Sequence, residues 1–397
     1  MADLLSIDEA QELVLGRARP LPAELVPVAE AAGRVAASPI RAAVDLPPFP
    51  SSAMDGFAVR TADTPGTLPV TFRIAAGRPA QRSLAVGEAM GIATGGVVPE
   101  GADAVIPIED VVQRDNQVEI SNRVAPGASI RLRGGDVRAG DVVVPAGTVL
   151  GPAHVGAAAA AGVGDVECTR RPRATVLSTG TELQTPGLPL SPGQVYEANS
   201  AILSAQLASA GAAVRRELSV EDDEEAHRRA ITRGLQADVL VTSGGVSVGP
   251  HDLVRSVERE LGVEEVFWGV AVKPGRPISF GVHGSTLVFG LPGNPVSALV
   301  GFELFVRPAL LALQGAADPR PPLQRGVLTQ PIRQNAQRDE LVRARSSRVA
   351  AEVELEPLSG QESHMIVRAA AADALVLVRR GDGELPVGTR VEYLPLR

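Results

Sequence analysis

The chain has 397 residues, 45% of them hydrophobic and only 3% aromatic, with a formal net charge of −8. That length suggests two to four domains, with cores built from Ala, Val, Leu and Ile rather than from rings. The acidic balance excludes nucleic acid and anionic membranes as general partners, since both call for excess cationic surface. The single cysteine, Cys168, excludes an intrachain disulfide and reads as a small buried residue.

The N-terminal stretch MADLLSIDEAQ reads as neither a signal nor a transit peptide. No apolar run reaches the roughly 20 residues of a membrane span. The longest candidate, around Val155–Val163, is short and Ala/Gly-rich. Ser6 and Glu9 form a capping box ahead of an apolar stripe, which predicts a helix over Ser6–Leu15. From about Ala31 to Leu150, short apolar segments such as PVTFRIAAG and DVVVPAGTVL, broken by Gly and Pro, predict one or two β-rich modules. Gly151–Gly162 reads as a small-residue helix with Pro152 in its first turn.

From Arg173 the rhythm becomes strand–helix–strand. ATVLSTG, VRRELSVED and ADVLVTSGG read as strands; Asn199–Ala210, Glu224–Leu235 and Asp252–Leu261 read as helices. A hairpin-like pair, ISFGVHGSTLVFG, precedes a long helix from Pro295 to about Leu313. Such alternation predicts a parallel sheet covered on both faces, with ligands at the carboxyl ends of the strands. After the Pro-rich link GAADPRPP, the last 75 or so residues predict a small antiparallel barrel or sandwich.

Three strand ends carry glycine loops: Ser178–Glu182, Ser243–Gly249 and Gly290–Pro295. Glycines there let backbone N–H groups approach a ligand closely. Asn294 and Pro295 suit the N-cap and first position of the long helix, an arrangement that favours phosphate. GxxxxGK[ST] and a helix-opening GxGxxG are both absent, which excludes P-loop and standard dinucleotide readings. The five histidines are scattered without metal-ligand spacing. Asp55, Asp136, Glu182, Asp222 and Asp252 sit beside flexible loops. Carboxylates of that kind suit Mg²⁺, which takes one or two of them together with phosphate oxygens and water. Of 38 cationic residues only Lys273 is lysine. In Lys273-Pro274-Gly275-Arg276-Pro277 it shares a stiff loop with Arg276, a placement that suits a small dianion.

Taken in order, SAMDGFAVR, GIATGG, GADAVIPIED, RGGDV, STGTEL, SGGVSVGPHD, KPGRP, GLPGNPVSA and SGQESHMIV resemble the molybdopterin molybdotransferase family, which includes the E domain of gephyrin. The resemblance spans about residues 5–395. It implies a multidomain α/β plus β protein with a central doubly wound α/β/α pterin-binding domain over 170–316. An elongated β-rich N-terminal pair would occupy 1–165, one member inserted at about 45–140, and a C-terminal β-barrel would occupy 320–397. It further implies a cytoplasmic homodimer that inserts molybdenum from molybdate into adenylylated molybdopterin, releasing AMP with Mg²⁺ present, and transient contact with the pterin adenylyltransferase.

Carried over by position, Ser243, Gly244, Gly245, Ser247, Gly293, Asn294, Pro295 and Ser297 would bind the pterin nucleotide. Asp222 and Asp252 would face the metal. Lys273, Arg276 and Pro277 would hold molybdate with Arg343 and Ser363 from the barrel. Glu182 would line the cleft, and Asp55, Thr94 and Asp136 would come from the partner subunit. The family usually has a second lysine where Arg276 stands. Adenylylation of molybdopterin and a non-catalytic pterin-binding scaffold are the alternatives, and sequence does not separate molybdate from tungstate.

Overall fold

A computed structural model describes residues 4–217, 224–244 and 253–396. The capping box closes as expected: the Glu9 carboxylate accepts from Ser6 N at 2.8 Å, and Ser6 Oγ accepts from Glu9 N at 3.2 Å. Helix Ile7–Leu15 then buries Ile7, Ala10 and Val14 in the core of the α/β region.

Strand Ala23–Pro27 pairs antiparallel with Asp165–Thr169, and Ile40–Arg41 with Val142–Val144. Cys168 is fully buried in the core beneath them. Between these pairs the chain builds a six-stranded sheet in the spatial order Ala104–Pro107, Gly56–Val59, Ala89–Ile92, Gly66–Ile74, Gln117–Ile120, Val112–Arg114. Gly56, the glycine of SAMDG, explains part of that motif. A Cβ there would lie 1.9 Å from Ile106 O, so only a glycine lets the two strands pair.

The central sheet runs Ala213–Glu217, Arg173–Ser178, Val239–Ser243, Thr286–Leu291, Ser279–His283, Glu264–Trp268. Its first four strands are parallel, and Ser279–His283 runs antiparallel to both of its neighbours. The expected hairpin accounts for this mixed edge, because a two-residue connection joins only antiparallel neighbours. Both faces are buried. Val239, Val241 and Phe289 face the core shared with helices Asn199–Ser209 and Pro295–Leu313, whereas Leu240 and Val288 face helices Glu224–Gly234 and Leu253–Glu260. Phe267, Phe280 and Phe289 stack in sequence with centroids 5.7 and 4.9 Å apart, so the few aromatic rings concentrate in this core.

The long C-terminal helix of this region is not a uniform α-helix. Pro295–Gly301 and Arg307–Leu313 are α-helical, and Phe302–Val306 forms a π turn. Pro308 has no N–H to offer the carbonyl four residues back, Leu304 O. Gln11 Nε2, from the first helix, donates to that carbonyl at 2.9 Å instead. A side chain that takes over a helix carbonyl is a recognised cause of such bulges. The 19-residue stretch is apolar enough to cross a membrane by length and composition, unlike the Val155–Val163 segment, but 78% of it is buried inside the fold.

The C-terminal strands close into a five-stranded barrel: Asp339–Val349, Glu352–Pro357, Gln324–Leu328, Arg390–Pro395, Ala374–Val378 and back to Asp339–Val349. One pairing, Gln324–Leu328 with Glu352–Pro357, is parallel, so the barrel is not purely antiparallel. Val272–Lys273 of the α/β region adds in parallel to the edge of Asp339–Val349. Leu341, Leu375, Leu377 and Leu394 of the barrel belong to the same buried cluster as Phe302 and Leu310, so the two regions share a core.

Candidate functional site

A polar cavity of about 490 Å³ opens at the carboxyl ends of the parallel strands. Ser178 and Ser243 end two of those strands, and Gly244, Gly293 and Asn294 continue the wall. Gly244 has φ +91°, and a Cβ there would sit 2.5 Å from Thr179 O. Glycine is therefore required for the loop to turn so close to its neighbour. Gly293 approaches in turn: a Cβ on it would lie 3.8 Å from Gly244 Cα. Ser297 is buried one turn into the helix that Pro295 opens.

Sequence reasoning missed Asn199, reading it only as a helix start. Its Nδ2 donates to Ser243 Oγ at 2.8 Å and to Gly293 O at 2.7 Å, tying two of the glycine loops together. The amide cannot be flipped without placing its oxygen against Gly293 O, so Oδ1 is the atom left over. Asn199 Oδ1 and Ser178 Oγ are buried at the cavity wall with no hydrogen-bond partner among the described residues. Such unpaired groups carry a desolvation cost that a ligand donor relieves. Glu197, also at the wall, is committed to the helix start: its carboxylate accepts from Ser200 N at 2.8 Å and from Ser200 Oγ. Glu182 lines the cavity as an exposed carboxylate.

Pro277 brings the KPGRP loop to the same cavity. Arg276 is exposed. Lys273 Nζ pairs with Glu340 Oε1 of the barrel at 2.8 Å. Asn294 occupies the N-cap position, but its side chain makes no capping bond. Its Nδ2 donates instead to Ser363 Oγ at 2.9 Å, while Val296 N donates to Ser363 O at 3.1 Å. Ser363 thus meets the cavity wall directly.

Arg343 does not occupy the position expected of it. It is 2% exposed. Its Nε donates to Gln361 Oε1, its Nη1 to Met365 O, and its Nη2 to Gly360 O and Glu362 O, at 2.7–3.3 Å. Burial pushes its pKa below the ordinary guanidinium value, against the pull of Glu362. With four of its five N–H donors engaged by main chain and amide, Arg343 holds the loop that carries Ser363.

Asp55, Thr94 and Asp136 lie in the N-terminal region and do not line this cavity. Asp55 Oδ1 accepts from Thr94 N at 2.6 Å and from Thr94 Oγ1 at 2.9 Å, which holds its carboxyl below the usual value. Asp136 is exposed. Asp222, Gly245, Ser247 and Asp252 lie outside the described residues, and with them the expected Mg²⁺ ligands. Among the described residues no group of three or more His, Cys, Asp or Glu side chains could hold a metal. The donors at the cavity, carboxylate, hydroxyl and amide oxygens, are the hard kind that Mg²⁺ takes alongside substrate phosphate.

Residues 5–162 match the MoeA N-terminal region (domain I and II), 175–312 a probable molybdopterin binding domain, and 325–396 the MoeA C-terminal region (domain IV). The chain is 40% identical over 339 residues to molybdopterin molybdenumtransferase 2 of Mycobacterium tuberculosis, covering 82% of this chain and 83% of that one. It belongs to the molybdopterin molybdenumtransferase family. The Haemophilus influenzae molybdopterin molybdenumtransferase is 34% identical over 400 residues, 99% of this chain and 98% of its own. A crystal structure of the molybdopterin biosynthesis MoeA protein from Pyrococcus horikoshii OT3 superimposes with a TM-score of 0.85 at 28% identity, covering 99% of this chain and 100% of that one.

Proposed function

We propose that this family member transfers molybdenum from molybdate to the dithiolene of adenylylated molybdopterin and releases AMP. The observation that carries the reading is one polar cavity bounded by the glycine loops, the KPGRP loop through Pro277, and Asn294, to which the barrel's Ser363 is bonded. The glycine loops offer main-chain groups to the phosphates, and Asn199 Oδ1 and Ser178 Oγ suit the N–H-rich edge of a pterin. Lys273 and Arg276 hold the oxyanion, a tetrahedral dianion that needs cations and N–H donors rather than apolar walls. Mg²⁺, held by Asp222 and Asp252, would offset charge on the phosphate oxygens. No cysteine is needed, because the substrate brings the sulfur.

The homodimer belongs to this proposal. Asp55, Thr94 and Asp136 would complete the cavity from a second copy. The exposed apolar side chains of Phe49, Met54 and Leu132 near them support a covered surface there. Cytoplasmic location and passing contact with the adenylyltransferase complete the reading. The deciding assay follows AMP release from adenylylated pterin with and without molybdate. Molybdate-dependent release is expected, and Lys273→Ala abolishes it while leaving fold intact. Formation of adenylylated pterin from ATP and pterin without molybdate would instead make the protein an adenylyltransferase.

A further inference from the structure

We infer that Glu340 is a positioning residue for Lys273, and that its charge sets the affinity of the oxyanion site. The inference rests on the reading of Lys273 as the oxyanion's ammonium. Glu340 stands in cross-strand register with Lys273 where Val272–Lys273 joins the barrel edge. It is also in register with Val378 on its other side, so its backbone is fixed from two directions. Asp339 N donates to Ala271 O at 3.0 Å, and the Asp339 carboxylate accepts from Arg380 N at 2.8 Å, which locks the adjoining residue.

The two side chains of the pair are unequal. That of Glu340 is 14% exposed and that of Lys273 is 49% exposed. Asn335 Nδ2 also points to Glu340 Oε1 at 3.4 Å. The carboxylate is therefore the fixed member and the ammonium the one with reach. An ammonium has three donors. Glu340 takes one, in a direction set by the barrel, and leaves two for an incoming ligand. Among the described residues Glu340 is the only ion-pair partner of Lys273.

The pairing has two consequences of opposite sign. The hydrogen bond holds a long, flexible side chain in place, so less freedom is lost when a ligand binds. The negative charge repels the same ligand. A dianion seated on Lys273 lies about 5 Å from the carboxylate, where one unit charge alters binding about tenfold at a dielectric close to that of water.

The two effects separate by substitution, read in steady-state AMP release by the full-length protein with molybdate varied. Glu340→Gln keeps an acceptor for Lys273 and removes the charge, so KM for molybdate falls about tenfold. Glu340→Ala removes both, and kcat falls with the loss of the held ammonium. A purely structural role would lower both variants' stability and would not split KM from kcat in this way. If Glu340→Gln folds poorly, molybdate binding by Lys273→Gln is compared with that by Lys273→Gln/Glu340→Gln in equilibrium dialysis, which needs no turnover. Neither partner is then left as an unpaired charge in the double variant, and its Kd is the lower of the two. An unchanged or raised KM on removing the Glu340 charge overturns the inference. Lys273→Ala with unaltered molybdate KM overturns instead the reading on which it rests.

Discussion

Replacing Arg343 separates holding a loop from holding an anion. Its guanidinium makes four hydrogen bonds to residues 360–365 and is 2% exposed. Hydrogen bonds to a charged group contribute about 1.5–3 kcal/mol each, offset by the cost of burying that charge. Arg343→Gln strands Gly360 O and leaves Glu362 O and Met365 O with only their backbone donors, Met365 N and Ala369 N, and a net loss of about 3 kcal/mol is expected. For a barrel of this size that corresponds to a fall of more than ~10 °C in its unfolding transition, measurable by calorimetry on the whole chain. The Ser363 loop loosens with it, so AMP release falls too. Arg343→Lys behaves the same way, since one ammonium cannot reach carbonyls arranged around a planar fork. A variant that keeps the barrel transition within about 0.5 kcal/mol of the parent, yet raises the molybdate KM, would refute the loop-holding role and restore direct contact.

Two further outcomes are expected. Gly244→Ala forces a Cβ within 2.5 Å of Thr179 O at φ +91°; a cost of about 1–3 kcal/mol and a raised KM for the pterin substrate check the tight turn. Asp238 receives hydrogen bonds from Arg170 and from Arg173 N. Burial alone would raise its pKa, but these bonds prevail and lower it from 3.8 to about 2. A depressed carboxyl pKa contributes stability present above the unfolded value and lost as pH falls through the folded one, here about 2 kcal/mol lost between roughly pH 4 and 2. Denaturation at pH 5 and pH 2.5 should show Asp238→Asn lacking that component of the pH dependence.

Much of this was legible because local chemistry and tertiary packing agree. The Ser6–Glu9 capping box closes as read, and the strand ends bearing Ser178, Ser243 and Gly293 meet at one cavity. The π turn was not foreseen, although Pro308 stood inside the expected helix. Its resolution depends on Gln11, nearly 300 residues away. Asn199 and Glu340 carried no motif of their own. Their roles come from partners distant in sequence, Ser243 and Gly293 for one and Lys273 for the other. Arg343 has the charge expected of an anion ligand, and only its burial reveals that the charge is already engaged. Asn294 sat at the expected cap, but its side chain turned toward the barrel.

The single strand Asp339–Val349 carries both Glu340, bonded to Lys273, and Arg343, which secures the Ser363 loop. Chimaeras that exchange C-terminal modules between relatives therefore cannot treat the junction near residue 320 as a neutral seam. A donor module that packs well but lacks either side chain would yield a protein that folds and yet has a misassembled catalytic mouth. Compatibility is decided at two points of one ribbon, and matching them should predict which hybrids work better than overall similarity does.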